Sequence, residues 1–207
     1  QVLSDRKKYA AQLNDQKRFM SDEDYALQCK IWKSIIKELQ KQLDNIDKKV
    51  DELVAENKRA SHQMELLKSV DGVGKRVAIA MIVCTDAFTR FDNARQFNCY
   101  AGMAPFTYTS GKSIQSKAKV SQRANKHIKS LLHMAALSVA TRMKTGEYAE
   151  YYKRRCSEGK HPLWVLNMTR AKIVSRMFAV IKRDKEYVRN YERVSIEKKL
   201  STPLQIS

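Results

Sequence analysis

The residues best suited to chemistry are Ser110, Gly111 and Lys112, inside the stretch F-N-C-Y-A-G-M-A-P-F-T-Y-T-S-G-K-S from Phe97 to Ser113. A hydroxyl held on a tight turn beside a cation is what attack on a phosphate needs. The oxygen supplies the nucleophile, and the positive charge steadies the charge that builds up on phosphorus oxygens in the transition state. The same residues also suit an ordinary surface turn, because Ser and Gly are common there. Cations follow at Lys117, Lys119, Arg123, Lys126 and Lys129; they line a nucleic-acid groove or form a solvated face.

A second constellation lies upstream at Val70-Asp71-Gly72-Val73-Gly74-Lys75-Arg76. Helix, a turn of the form apolar-x-Gly-apolar-Gly, and helix again resembles a helix-hairpin-helix. Gly72 can take positive φ, and Gly74 lets the backbone approach a phosphate. That phosphate's charge is met by the amides opening the next helix and by Lys75 and Arg76. The alternative is a plain interhelical turn.

These groups sit in a very basic chain. The formal charge is +18 over 207 residues, which makes a polyanion the default partner. Residues 1 to 71 hold 14 Lys and Arg against 13 acids, whereas residues 72 to 207 hold 26 against 9. The second part therefore meets the polyanion. Cys29, Cys84, Cys99 and Cys156 are far apart, without metal-ligand spacing, and read as reduced, half-buried thiols. No apolar run approaches the roughly 20 residues that cross a bilayer, so the expectation is a soluble intracellular protein with no membrane partner. The start at Gln1 suggests a fragment or a processed product.

The elements that must position these groups are helical. Ser21-Asp22-Glu23-Asp24 reads as an N-cap with acids in the first turn, and no Gly or Pro follows until Gly72. Cys29, Ile36, Leu43, Val50, Asn57 and Met64 fall at heptad position a, with Tyr25, Trp32, Leu39, Ile46, Leu53, Ala60 and Leu67 at d. This predicts a coiled-coil rod of about 65 Å. The single polar a residue, Asn57, favours two parallel strands, hence a homodimer, with a higher oligomer also open. The competing arrangement is an antiparallel hairpin with residues 1 to 20. Thr107 to Thr109 and Ile114 to Val120 alternate as a short β-hairpin would, turning at Ser110-Gly111-Lys112. Amphipathic helices follow over Asn125 to Arg142 and through Leu166 to Ile181, and the chain frays from Lys182. The fold class is mainly α: a long coiled-coil helix, then a compact helical domain with a helix-hairpin-helix-like turn and a short β-hairpin. Domain boundaries are set at 1–69, 70–185 and a charged tail at 186–207. No long β-run could hold a nucleotide-binding sheet.

Taken together, V-D-G-V-G-K-R-V-A, F-D-N-A-R-Q-F-N-C-Y-A-G-M-A-P, T-S-G-K-S and V-S-Q-R-A-N-K-H-I-K-S-L-L resemble the C-terminal half of a DEDD insertion-sequence transposase. The family is related to the Piv invertase and includes bridge-RNA-guided recombinases. The resemblance covers roughly residues 70 to 185. It implies that Ser110 is the nucleophile that becomes covalently attached to DNA. A RuvC-like domain absent from this chain would supply four acids and bind a divalent metal, Mg. No metal or cofactor is expected on the residues present, and the chain alone should bind DNA and dimerise without turning over. A guide RNA is a further partner the resemblance admits, and it implies a bacterial, cytoplasmic, nucleoid-associated setting. The sequence departs from the family pattern at Ser121-Gln122-Arg123-Ala124-Asn125, which lacks the usual Gly, and at Lys129, which stands where the family has arginine and lacks its bidentate fork.

Two other readings use the same residues. In one, a non-enzymatic dimeric protein binds nucleic acid through Gly72, Gly74, Lys75, Arg76, Lys112 and the downstream cations, with Ser110 only turning the chain. In the other, Tyr151 or Tyr152 is a recombinase nucleophile beside Lys153-Arg154-Arg155.

Overall fold

In a computed structural model, residues 1–104, 109–110, 114–115, 124–143 and 145–189 are described, without the side chains of residues 14, 109, 110, 114 and 115. The chain is mainly helical, as its periodicity predicts, and divides into two units, Gln1–Ser61 and His62–Ser207.

In the first unit, α1 (Val2–Asp15) leads through a 3-10 turn at Gln16–Arg18 into α2 (Asp22–Glu56). The predicted cap is present: the Ser21 hydroxyl accepts the Asp24 amide at 3.2 Å, with Asp22, Glu23 and Asp24 in the first turn. The first helix folds back along the second. Arg6 Nη1 donates to Gln40 Oε1 at 2.8 Å, the Tyr25 hydroxyl donates to the Leu13 carbonyl at 2.8 Å, and Trp32 is buried. The competing hairpin is thus the arrangement found within this unit. Ile46 and Leu53, at d positions further along, stay 49% and 55% exposed.

The uninterrupted helix expected from residue 22 to 71 is corrected at Asn57. Its backbone turns extended, at φ −99° and ψ 99°, and its Oδ1 accepts the Ala60 amide at 3.0 Å, capping α3 (Lys58–Lys68). Asparagine's short amide competes for backbone hydrogen bonds and favours caps over helix interiors. The residue assigned to a buried seam is an exposed helix punctuator.

The second unit continues with α4 (Lys75–Cys84), α5 (Ala94–Tyr100), α6 (Lys126–Leu137), α7 (Glu147–Ser157) and α8 (Pro162–Arg183). Side chains set several of the starts. Asn93 accepts from the Gln96 amide, Asn125 from the Ile128 amide, and His161 from the Leu163 amide, with Pro162 supplying a preset φ at the first turn. The core forms where α6 packs on α8. One stripe, Ile128, Leu132, Ala135, Ala136 and Val139, faces Ile173, Val174, Met177 and Val180, each helix burying one face at helical spacing. A π-helical turn, Ser138–Arg142, extends α6.

After α4 the backbone takes three successive left-handed residues, Asp86, Ala87 and Phe88, which no glycine announces. Thr85 Oγ1 donates to the Met81 carbonyl and accepts the Phe88 amide, and Gln63 Nε2 donates to the Ala87 carbonyl. The reversal delivers Phe88 edge-on to Phe178 at 5.0 Å and Phe91 edge-on to Phe97 at 5.4 Å. Phe97 is fully buried.

Residues 184–189 do not fray as expected. Asp184 turns left-handed and ends α8. The Tyr187 amide donates to Ser69 Oγ at 2.8 Å, the Tyr187 hydroxyl to Glu147 at 3.0 Å, and Arg189 pairs with Asp71. An amide and a phenol with fixed acceptors hold this strap on the second unit. All four cysteines are free and half-buried, and among the described residues no helix is long and apolar enough to cross a membrane.

Candidate nucleic-acid interface and serine segment

Ser110 lies on β1 (Thr109–Ser110), which pairs antiparallel with β2 (Ile114–Gln115). Thr109 stands opposite Gln115 and Ser110 opposite Ile114. Lys112, Lys117, Lys119 and Arg123 lie outside the described residues.

The chain on either side of this segment is firmly held. On the N-terminal side, the Met103 amide donates to the Asn98 carbonyl at 2.8 Å, and the Met103 carbonyl accepts Asn167 Nδ2 at 3.0 Å. On the C-terminal side, the Asn125 amide donates to the Tyr100 carbonyl and its Nδ2 to the Tyr100 hydroxyl, while Oδ1 caps α6. Both roots of the Ser110 segment are therefore tied to the end of α5. Asn125 thus does two jobs, and only the capping one follows from its sequence context.

Lys126 and Lys129 open α6 directly beyond Asn125. They line one shallow groove of about 410 Å³ with Ser130, His133, Leu163 and Arg170. Arg170 and Asn167 are functional candidates that sequence reasoning missed. Their i, i+3 spacing puts them on one face of α8, yet nothing in the sequence says that this face meets the start of α6. Arg170 Nη2 donates to Asn167 Oδ1 at 2.8 Å. Burial pulls the Arg170 guanidinium below its ordinary value.

The glycine turn lies elsewhere. Gly72 adopts φ +81°, as expected, but it serves packing as well: a Cβ there would stand 2.5 Å from Val139 Cγ1 and 3.1 Å from the Ala135 carbonyl oxygen. Gly74 precedes α4 with extended backbone, and a Cβ added to it meets nothing within 4 Å. Its face is open, while Lys75 is half-buried and Arg76 exposed. At the other end of α4, Asn125 Nδ2 reaches Cys84 Sγ at 3.8 Å. The glycine turn and the C-terminal root of the Ser110 segment thus occupy opposite ends of α4, a 10-residue helix about 15 Å long. Of the predicted cations that are described, Lys75 and Arg76 open α4, whereas Lys126 and Lys129 open α6.

The tyrosines have other surroundings. Lys172 Nζ lies 3.8 Å from the Tyr151 ring centre, with Arg154 and Arg155 near the same ring. Burial pushes the Tyr152 phenol up, which disfavours a phenolate nucleophile. Among the described residues no group of three or more His, Cys, Asp or Glu side chains could hold a metal ion. Asp71, Glu147, Glu158 and Asp184 each face a cationic or histidine partner instead. Among the described residues the acids therefore form no divalent-metal centre.

Comparison with known proteins gives this geometry a context. Residues 64–153 match the sequence profile described as the Transposase IS116/IS110/IS902 family. The pilin gene-inverting protein of Moraxella bovis is 23% identical over 145 residues, covering 70% of this chain and 45% of that protein. The insertion element IS110 uncharacterized 43.6 kDa protein of Streptomyces coelicolor is 30% identical over 118 residues, covering 56% of this chain and 28% of its own length. The chain spans less than half the length of these relatives. The match over residues 64–153, with Ser110 inside it, relates this chain to the IS116/IS110/IS902 family of transposases.

Proposed function

We propose that the chain is the DNA-handling part of a transposase or recombinase, with Ser110 as the nucleophile. The observation that carries this reading is that the family match spans residues 64–153, enclosing the paired strand with Ser110 and both its anchored roots. The name of the Moraxella relative, a gene-inverting protein, supports DNA breakage and rejoining as the reaction class.

In that reaction the Ser110 Oγ attacks a DNA phosphorus. A phosphorus–oxygen bond to one deoxyribose breaks, a phosphoserine ester forms, and the serine's proton is balanced by the one gained by the departing hydroxyl. Rejoining is the reverse attack by a DNA hydroxyl. One ester replaces another, so no energy source is required. The chain's own share is binding and orientation: Lys126 and Lys129 beside the segment, with Lys112, Lys117, Lys119 and Arg123 on it, attract the backbone. Gly72, Gly74, Lys75 and Arg76 take a second stretch of phosphates at the far end of α4. On this reading an acidic quartet with its Mg belongs to a further domain, and the protein works as a homodimer joined through its long helices. A guide RNA is a second nucleic-acid partner consistent with the same basic surface.

The test is trapping. The complete protein, with its acidic domain, divalent metal and donor DNA, should give a covalent protein–DNA adduct that Ser110→Ala abolishes and that Tyr151→Phe and Tyr152→Phe retain. An adduct surviving Ser110→Ala refutes the assignment. DNA binding with no adduct from any variant returns the protein to the non-enzymatic reading.

A further inference from the structure

The groove between α6 and α8 has an electrostatic peculiarity. Lys126, Lys129, His133 and Arg170 line it together with Ser130 and Leu163, and among the described residues no acidic side chain does. Arg170 is half-buried, and the partner its Nη2 reaches is a neutral amide oxygen, Asn167 Oδ1. Its Nε is shielded from water and has no hydrogen-bond partner among the described residues.

Elsewhere in this unit arginines find carboxylates: Arg176 reaches Glu147, Arg155 reaches Glu158 and Arg189 reaches Asp71. Arg170 has no carboxylate partner among the described residues, and a desolvated guanidinium without a counter-ion is costly. Two lysines around the same groove raise that cost, because like charges repel at short range. An anion relieves both. Guanidinium presents paired N–H donors that match two oxygens of a phosphate, and the lysines add charge without demanding geometry.

We propose that this groove is a phosphate-binding site in which Arg170 holds one phosphodiester of a bound nucleic-acid strand, with Lys126 and Lys129 flanking it, and that Asn167 is its positioning residue. Asn167 bridges the guanidinium and the Met103 carbonyl, so one side chain registers the phosphate against the N-terminal root of the Ser110 segment. The site rests on the nucleic-acid part of the proposed function and not on the identity of the nucleophile.

The binding arm uses this 207-residue chain with double-stranded and single-stranded DNA and single-stranded RNA oligonucleotides over a salt series. Arg170→Ala should weaken binding by roughly tenfold and reduce the slope of log K against log salt by about 1, the loss of one phosphate contact. Arg170→Lys should keep the slope while losing part of the affinity, since charge survives and the fork does not. Lys129→Glu places an acid in the same groove and should weaken binding further; it covers the case in which Arg170→Ala melts early. Unchanged affinity and slope in Lys129→Glu, or in a folded Arg170→Ala, overturns the proposal.

The three oligonucleotides show which strand form the site takes. The positioning arm uses the complete protein: Asn167→Ala removes no charge, so it should leave the salt slope intact while slowing strand cleavage at saturating DNA. If cleavage keeps its rate, Asn167 has no positioning role. If the serine assignment fails, the binding arm still reads out, because it never depends on an adduct.

Discussion

At the scale of single residues, the two glycines of the turn divide cleanly. Gly72 is required by the backbone and by its neighbours, since its φ is +81° and an added Cβ meets Val139 Cγ1 and the Ala135 carbonyl. Gly72→Ala should cost about 1–2 kcal/mol for the left-handed backbone, with overpacking adding about 1–3 kcal/mol, measured by urea unfolding. Gly74→Ala, in open space, should leave the unfolding midpoint nearly unchanged yet weaken DNA binding if phosphates approach there. Equal losses of stability in the two variants would contradict this division. Gly72 was legible because a positive φ leaves its mark in the residue type. Arg170 was not: its setting beside Lys126 and Lys129 depends on where α6 docks, and an arginine on a helix face otherwise looks like a solvated one. Nor do Asp86, Ala87 and Phe88 declare their left-handed turn, which is held by Thr85 and Gln63 from outside it.

At the scale of elements, periodicity gave the helices their existence and their buried faces, while side-chain hydrogen bonds decided where they stop. Asn57 shows the limit: a heptad count and a helix cap make the same demand on residue type, and only the backbone tells them apart. The strap after α8 adds an electrostatic dependence. Burial would push the Glu147 carboxyl up, but the Tyr187 hydroxyl and the Arg176 guanidinium outweigh it, and the net shift is downward. A carboxylate lowered in the folded state adds stability above its unfolded value, near 4.3, and loses it as pH falls through the lower folded value. Relative to Glu147→Gln, the native protein should therefore hold an advantage at pH 7 that shrinks below about pH 4. Because Glu147 is 37% exposed, solvent screening keeps this to about 0.5–1 kcal/mol. A difference that stays constant from pH 7 to pH 3 would show that the contact is not ionic.

At the scale of the whole molecule, the first 71 residues are near neutral and the remainder strongly basic, a division that the proposed function uses for assembly and for nucleic-acid contact. The first unit contains its own antiparallel hairpin, yet Ile46 and Leu53 remain open on α2. Concentration-dependent association through that stretch is expected in sedimentation experiments, and Ile46→Glu combined with Leu53→Glu should abolish it. A native protein that sediments as a monomer at high micromolar concentration rules out this self-association. The second unit carries a different consequence. His62 Nε2 and Asp184 Oδ1 lie 2.5 Å apart, so the chain enters this unit and completes its last helix at nearly the same point. This contact joins residues 122 apart in the chain, so closing it carries the loop entropy of the whole helical body between them.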